Sequence, residues 1–584
     1  IVMTPDAEPF FAATYIPKEA RYGRPGMLDM IPQLADAWQN RQGDIEQSTE
    51  QILGRLKAYA ERDPSVESLD QATLDKAFQE FENRFDASHG GFGSAPKFPT
   101  PHTLLFLLRY WSRTGNEKAL QMVEVTLDKM ARGGIWDHVG YGFHRYSTDA
   151  RWFAPHFEKM LYDQALLLIA YSEAYQATKK PEYERVARDI VTYVLRDMRG
   201  KGGGFYSAED ADSEGIEGKF YLWSTEELTA LLGDESAAVI IDLYGANESG
   251  NFSAEVPSGN ILHLRRSEAE VAEAHGMTEA QLTALTESTR KTLFDVREGR
   301  VHPYKDDKIL TDWNGLMIAA LAKAARAFDE PAYTEAAEKA MKFVLTSLRD
   351  SSGGLLHRYR DGSSGITGNL DDYSFVVMGL LELYENTFNI EYLQTAVDLN
   401  KVQIDRFWDD ARGGFFFSAD DAEELIVRTK EVYDGAVPSG NSVSMGNLIR
   451  LSRLTGDAEL EDYSERVAKA FYDDVAKAPS AFSMLLLALD FGIGPSYEVV
   501  IVGDPNASDT KSMQRALNER FVPNKVVLFK AEGKAGEALS EIASFTESHA
   551  TIEGKATVYV CKNYACELPT TDVAKMVEML GAGR

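Results

Sequence analysis

The sequence predicts a mainly α-helical protein built as a closed ring of helical hairpins, an (α/α)6-type toroid of six or seven hairpins with a small α/β segment at each end. Three observations predict it. A Gly-Gly-apolar loop recurs, followed each time by a helix, a short turn and a second helix. The helices after the loops are apolar on nearly all sides, as Leu316–Ala325 illustrates, and a helix apolar all round is buried. The period is longer and less regular than the roughly 33–34 residues of tetratricopeptide or ankyrin arrays.

The loops begin at Gly90-Gly91-Phe92, Gly133-Gly134-Ile135, Gly203-Gly204-Phe205, Gly353-Gly354-Leu355 and Gly413-Gly414-Phe415, with a diverged one near Gly299–Asp312. Inner helices are expected to start near His102, His156, Asp312, Asp371 and Asn441; the unit after Trp223 is the least regular. Short turns resemble one another at Arg113-Thr114-Gly115, Thr178–Pro181, Phe328–Pro331, Phe388-Asn389-Ile390 and Leu454-Thr455-Gly456. In a closed ring all long loops share one face and all tight turns the other. Function concentrates on positioned loops, so the long-loop face is the candidate site.

The ring is expected over residues 65–493. Residues 1–61 read as a short strand at Ile1–Met3, a turn at Thr4-Pro5-Asp6, a strand near Phe10–Ile16 and a long helix from Met27 to Ala60. They look like the end of an α/β domain whose beginning lies before residue 1. Residues 496–584 switch period: Tyr497–Val502 and Lys525–Phe529 read as parallel strands around a helix near Asp509–Phe521, then a strand at Thr557–Cys561 and a helix at Thr571–Leu580.

The chain has 584 residues, 44% of them apolar and 26% charged, a globular composition. The net charge of −30 disfavours a nucleic-acid partner. No apolar run reaches the ~18 residues needed to span a bilayer. Cys561 and Cys566 are the only cysteines, which excludes a disulfide framework and suggests a reducing, cytoplasmic setting. Their spacing is not that of a redox CxxC or a zinc site, and Cys561 reads as a buried strand residue.

The densest constellation is Gly133–Gln164, with Trp136, Asp137, His138, His144, Trp152, His156, Glu158, Tyr162 and Asp163. Carboxylates beside imidazoles and rings suit acid–base work on a sugar stacked on aromatics; the same residues would also serve a packed loop. Glu209 and Asp210 lie in a second acidic segment. There Asp210–Gly215 copies the first half of an EF-hand, but Tyr221 stands at the twelfth position, so a β-hairpin over the mouth is expected. Asp312-Trp313-Asn314 and Asp371-Asp372-Tyr373 open two inner helices. Asp312 and Asp371 could be caps. Asp372 is less easily a cap, since two adjacent carboxylates cannot both cap and one has its pKa raised. Asp434, Ser439 and Asn441 precede another inner helix.

Trp152–Ala165, Gly91–Pro99 and Lys308–Asn314 resemble the signatures of the thioredoxin-domain-containing (DUF255) family related to spermatogenesis-associated protein 20. The resemblance covers essentially the whole chain. It implies an N-terminal thioredoxin-like domain, whose end matches Thr4-Pro5-Asp6 and Thr14-Tyr15-Ile16-Pro17. It also implies a toroid similar to those of N-acylglucosamine 2-epimerases and six-hairpin glycosidases. The family's CxxC segment would lie before residue 1, so no redox activity is assigned to this chain.

The expected function is a carbohydrate-active enzyme, an epimerase, isomerase or hydrolase of a small saccharide. His138, His156, Glu158, Asp163 and Asp372 are its candidate catalytic groups. Trp136, His144, Trp152, Tyr162, Glu209, Asp210, Asp312, Trp313, Asn314, Asp371, Tyr373, Asp434 and Asn441 are its candidate binding groups. Similar toroids use histidine pairs in epimerases and paired carboxylates in glycosidases, and this chain offers both. The rival reading is a redox-linked binding or chaperone-like protein. Neither requires a cofactor or metal.

Overall fold

The computed structural model describes residues 1–21, 23–253, 255–423 and 425–581. In chain order the ring helices are α1 (Gln71–Arg84), α2 (Pro101–Thr114), α3 (Glu117–Arg132), α4 (Leu161–Thr178), α5 (Pro181–Tyr193), α6 (Thr311–Phe328), α7 (Pro331–Ser347), α8 (Leu370–Thr387), α9 (Ile390–Phe407), α10 (Gly440–Thr455), α11 (Ala458–Ala470) and α12 (Ser483–Ile493). Even-numbered helices form the inner wall. Each packs on the next, α2 on α4 and so on to α12, which returns to α2 and closes the ring. The protein is therefore an (α/α)6 toroid.

Patterning decides which helices go inside. In α4 every residue from Leu161 to Ala174 is buried. In α5 only Tyr183, Val186, Ala187, Ile190, Val191 and Tyr193 are buried, the stripe of an outer helix with one wet face.

The tight turns repeat at atomic detail. Each inner helix from α2 to α10 ends on a left-handed residue: Gly115, Lys179, Asp329, Phe388 or Gly456. Thr114, Thr178, Thr387 and Thr455 occupy the last helical position in four of them. Each Thr hydroxyl donates to the carbonyl four residues back and accepts the N–H two residues on. The orphan groups of the helix end are thereby satisfied within the turn.

The long loops share a closure as well. The N–H of Asp86, Gly200, Asp350 and Asp409 donates to the carbonyl of the second glycine of each pair: Gly91, Gly204, Gly354 and Gly414. In the second loop the matching bond runs from Asp137 to Gly142, so Tyr141-Gly142 is the true counterpart there. Gly133 and Gly134 serve a different need. A Cβ on them would lie 2.3 Å from the Trp152 carbonyl and 2.1 Å from that of Phe153.

Neighbouring loops are stitched along one rim. Lys97 bridges to Ser147, Lys159–Met160 pairs with Ala208–Glu209, and that pair continues to Lys305–Asp306. Ile309–Leu310 pairs with Leu356–Arg360, which forms a hairpin with Ser363–Thr367. Between α5 and α6 the chain inserts four helices with their own small core, Thr225–Leu232, Asp234–Leu243, Glu268–Ala274 and Glu279–Arg297. This is why the unit after Trp223 looked irregular.

Several expectations need correction. His156 is in a two-residue strand, and the inner helix begins only at Leu161. The N-terminal strands are Val2–Met3 and Pro9–Phe11, so the first leaves out Ile1, which is 82% exposed, and the second stops well short of Ile16. The long helix breaks at Arg41 into Met27–Asn40 and Gln42–Ala60. At the C-terminus Tyr497–Gly503 and Lys525–Ala531 are parallel, as read from sequence, and Thr557–Lys562 joins antiparallel. Cys561 and Cys566 face each other on adjacent antiparallel strands and form a disulfide, so the cysteine argument for a reducing compartment loses its basis. Among the described residues no helix is long and apolar enough to cross a membrane.

Candidate active site

Inner helices α4, α6 and α8 all begin at the loop rim, so the polar residues of their first turns converge. Tyr162 and Asp163 open α4, Asp312 and Trp313 open α6, and Asp371 and Asp372 open α8. The Trp313 and Tyr162 rings meet edge to face at 4.8 Å, joining the first two starts.

Asp372 lies at the centre and is fully buried. Its Oδ2 accepts the N–H of Asn369 at 2.8 Å, closing a capping box, and its Oδ1 accepts the N–H of Asp312 at 3.0 Å. His357, from the strand beside Ile309–Leu310, brings Nδ1 to 3.0 and 3.1 Å from the two Asp372 oxygens. Its side chain is 23% exposed, so the imidazole is the solvent-facing end of the pair. Among the described residues Nε2 has no hydrogen-bond partner.

The charges separate accordingly. The Asp372 hydrogen bond outweighs burial and raises His357 to about 9. Burial, then the Asp372 charge, push Asp312 well above the carboxylate range, and the same two causes raise Asp371 to about 7. The shifts favour an imidazolium on His357 and the protonated form of Asp312. Asp312, His357 and Asp372 each offer a ligand atom, all within 4.8 Å of one another, a donor set that could hold a metal ion. His357 and Asp372, however, already share a hydrogen bond through Nδ1, and an ion bound at that nitrogen would have to displace its proton.

Beside this centre lies a second group. Arg145 donates to Glu158 at 2.9 Å, His156 Nε2 is 3.3 Å from Glu158, and His156 Nδ1 is 2.7 Å from Glu217. Asp163 is buried without a partner for Oδ2 among the described residues, and burial raises its pKa well above the carboxylate range. Of the residues read from sequence, His156, Glu158, Tyr162, Asp163, Asp312, Trp313, Asp371 and Asp372 are therefore brought to one rim.

The rest are engaged elsewhere. His138 lies against the Gly133 carbonyl at 3.0 Å, and burial lowers it to about 4. His144 lies 3.0 Å from the Phe157 carbonyl, and burial lowers it to about 3. Trp136 and Trp152 are 3% and 0% exposed and have no face for a sugar; Trp152 donates to the His89 carbonyl. Tyr373 is buried, its hydroxyl accepting from Leu355 and Arg406. Glu209 accepts from Tyr193, and Asp210 accepts the N–H of Asp212 in an exposed turn that leads into the expected hairpin. Asn314 and Asn441 tie the loop backbones at Phe205 and Phe415. Asp434 caps the start of α12 through Met484 and Leu485.

Sequence reasoning missed His357, Arg145 and Glu217. The only local signal for His357 was its place three residues after a glycine pair; its partner Asp372 is 15 residues away.

Residues 1–57 match the family described as a protein of unknown function, DUF255. Rat spermatogenesis-associated protein 20 is 36% identical over 617 residues, covering 99% of this chain and 78% of its own. The chain belongs to the spermatogenesis-associated protein 20 family. The human protein of that name shows the same identity and coverage, and the Caenorhabditis elegans uncharacterized protein B0495.5 is 33% identical over 620 residues, 99% of this chain and 83% of its own. Similar solved structures include cellobiose 2-epimerase from Bacillus thermoamylovorans, with TM-score 0.44, 11% identity and 70% and 88% of the two chains covered. A GH76 α-mannanase from Bacteroides thetaiotaomicron has TM-score 0.43, 12% identity and 72% and 95% covered.

Proposed function

We propose that the loop rim is the active site of an acid–base enzyme acting on a small saccharide. The observation that carries the reading is His357, oriented through Nδ1 by the buried Asp372 and presenting Nε2 outward. A carboxylate that holds an imidazole in one orientation and raises its pKa makes it a proton-transfer group. Trp313 supplies a partly exposed ring beside it, and Glu158 with His156 supplies a second acid–base pair. Asp312 and Asp372 lie closer than the roughly 6.5–9.5 Å an inverting hydrolase needs to seat a water. That favours proton transfer, as in epimerisation or isomerisation, over inverting hydrolysis.

The test is incubation with a panel of reducing mono- and disaccharides in D2O, followed by proton NMR. Deuterium entering beside the carbonyl carbon supports the proposal, and His357→Gln should slow it about 10²–10⁴-fold. New reducing ends without exchange would reassign the chemistry to hydrolysis. Neither signal across the panel would remove the saccharide reading.

A further inference from the structure

The opposite end of the inner helices carries a different chemistry. Glu173 lies ten residues along α4 from Asp163, about 15 Å at 1.5 Å per residue. Around it the inner wall and segment 518–525 of the C-terminal unit enclose a cavity of about 150 Å³. A cavity of that size takes about one small ring.

Its walls are charged, and the signs do not balance. Arg109, Lys323, Arg326, Arg450, Arg520 and Lys525 contribute six cations, while Glu173, Glu382 and Glu385 are the three carboxylates among the described lining residues. The carboxylates are fully occupied. Glu173 takes Arg109 through two bonds of 2.7 and 3.1 Å and Lys323 at 3.1 Å. Glu382 takes Arg326 and, at 2.8 Å, Arg450, which also reaches Glu385 at 3.1 Å. Burial alone would raise Glu173, but Arg109 and Lys323 hold it down to about 2. Lys525 donates to the Val522 carbonyl, and Arg520 donates to the Ala516 carbonyl. The Ser172 hydroxyl, 1% exposed on the same wall, has no partner among the described residues.

An uncompensated excess of charge in a confined space is costly. It stands out in a chain whose net charge is −30. We propose that this cavity is a binding site for a small multiply charged oxyanion, a phosphate group above all, separate from the loop rim. Lys525, Arg520 and Arg450 would bind its oxygens, with Ser172 as a neutral donor. A monocarboxylate would leave part of the excess unmatched and should bind less tightly. The cations come from three inner helices, α2, α6 and α10, and from the C-terminal unit, so an occupied site would also hold that unit on the ring.

The test uses the full chain with inorganic phosphate, sulfate and acetate as probes, read by titration calorimetry and thermal unfolding at constant ionic strength. Phosphate should give a saturable, one-to-one signal and a rise in melting temperature, and acetate a much weaker one. Lys525→Gln should weaken phosphate binding about tenfold, the loss of one charge-assisted hydrogen bond, with Arg520→Gln as an independent second variant. Neither side chain bonds a carboxylate at hydrogen-bond distance among the described residues, so folding in chloride should persist in both. An equal response to all three anions, or phosphate binding undiminished in both variants, would overturn the proposal. Activity at the rim does not enter the readout, so the two proposals can fail separately.

Discussion

His357 and Asp371 make the rim's stability depend on pH in one direction. His357 is raised from 6.5 to about 9, so its contribution is complete below pH 6.5 and lost as pH rises through about 9. Asp371 is raised from 3.8 to about 7, so its contribution is lost on the same side, as pH rises through about 7. The melting temperature should fall between pH 6.5 and 9.5, and His357→Gln should flatten that part of the curve. A wild-type curve flat over this range would contradict the His357–Asp372 pairing. Glu173 acts in the opposite sense: held down from 4.5 to about 2, it contributes above pH 4.5 and loses that contribution in strong acid.

Hairpins owe their geometry to a few residues at their ends. At the tight turns the sequence shows the parts openly, because Thr-Gly-Asn at residues 114–116 and Thr-Gly-Asp at 455–457 carry the hydroxyl, the left-handed residue and the next cap in order. At the loops the parts are hidden. Asn441 Oδ1 accepts the Phe415 N–H at 2.8 Å, and its Nδ2 donates to Phe415 and Glu431, a role set by residues 26 and 10 positions away. Asn441→Ala would leave the two buried Phe415 backbone groups and the part-buried Glu431 carbonyl without this partner. It should cost about 2–4 kcal/mol, measured by urea unfolding; a loss below ~0.5 kcal/mol would show that the tie is replaceable.

Closure of the ring depends on how near the inner helices come. Gly315 of α6 faces α8 so closely that a Cβ there would lie 2.5 Å from the Phe375 carbonyl carbon, and Gly379 meets Gly315 in return. Gly315→Val would force α6 and α8 apart at the turn that carries Asp312 and Asp372. The expected loss is at least about 1–3 kcal/mol of stability. His357 should also lose its raised pKa, seen as a shift of its imidazole NMR titration toward 6.5. An unchanged titration in a destabilised variant would show that the site tolerates a looser ring.

The sequence by itself determined the helical ring, which face of it carries the long loops, and the C-terminal α/β unit. Each of these rests on short-range patterning that a single strand of text preserves: all-round apolar helices, repeated turns and a change of period. It also placed Asp312 and Asp372 at helix starts on one rim, and Tyr162 and Asp163 in the loop cluster beside them. Only the folded chain decided which polar residues meet. His138, His144, Trp136 and Trp152 belonged to the densest cluster in the sequence, yet loop packing buries them. His357 looked ordinary until strand pairing set it against Asp372. Burial and pairing across loops shift pKa values and match charges, and those distances are set by closure of the ring rather than by spacing along the chain.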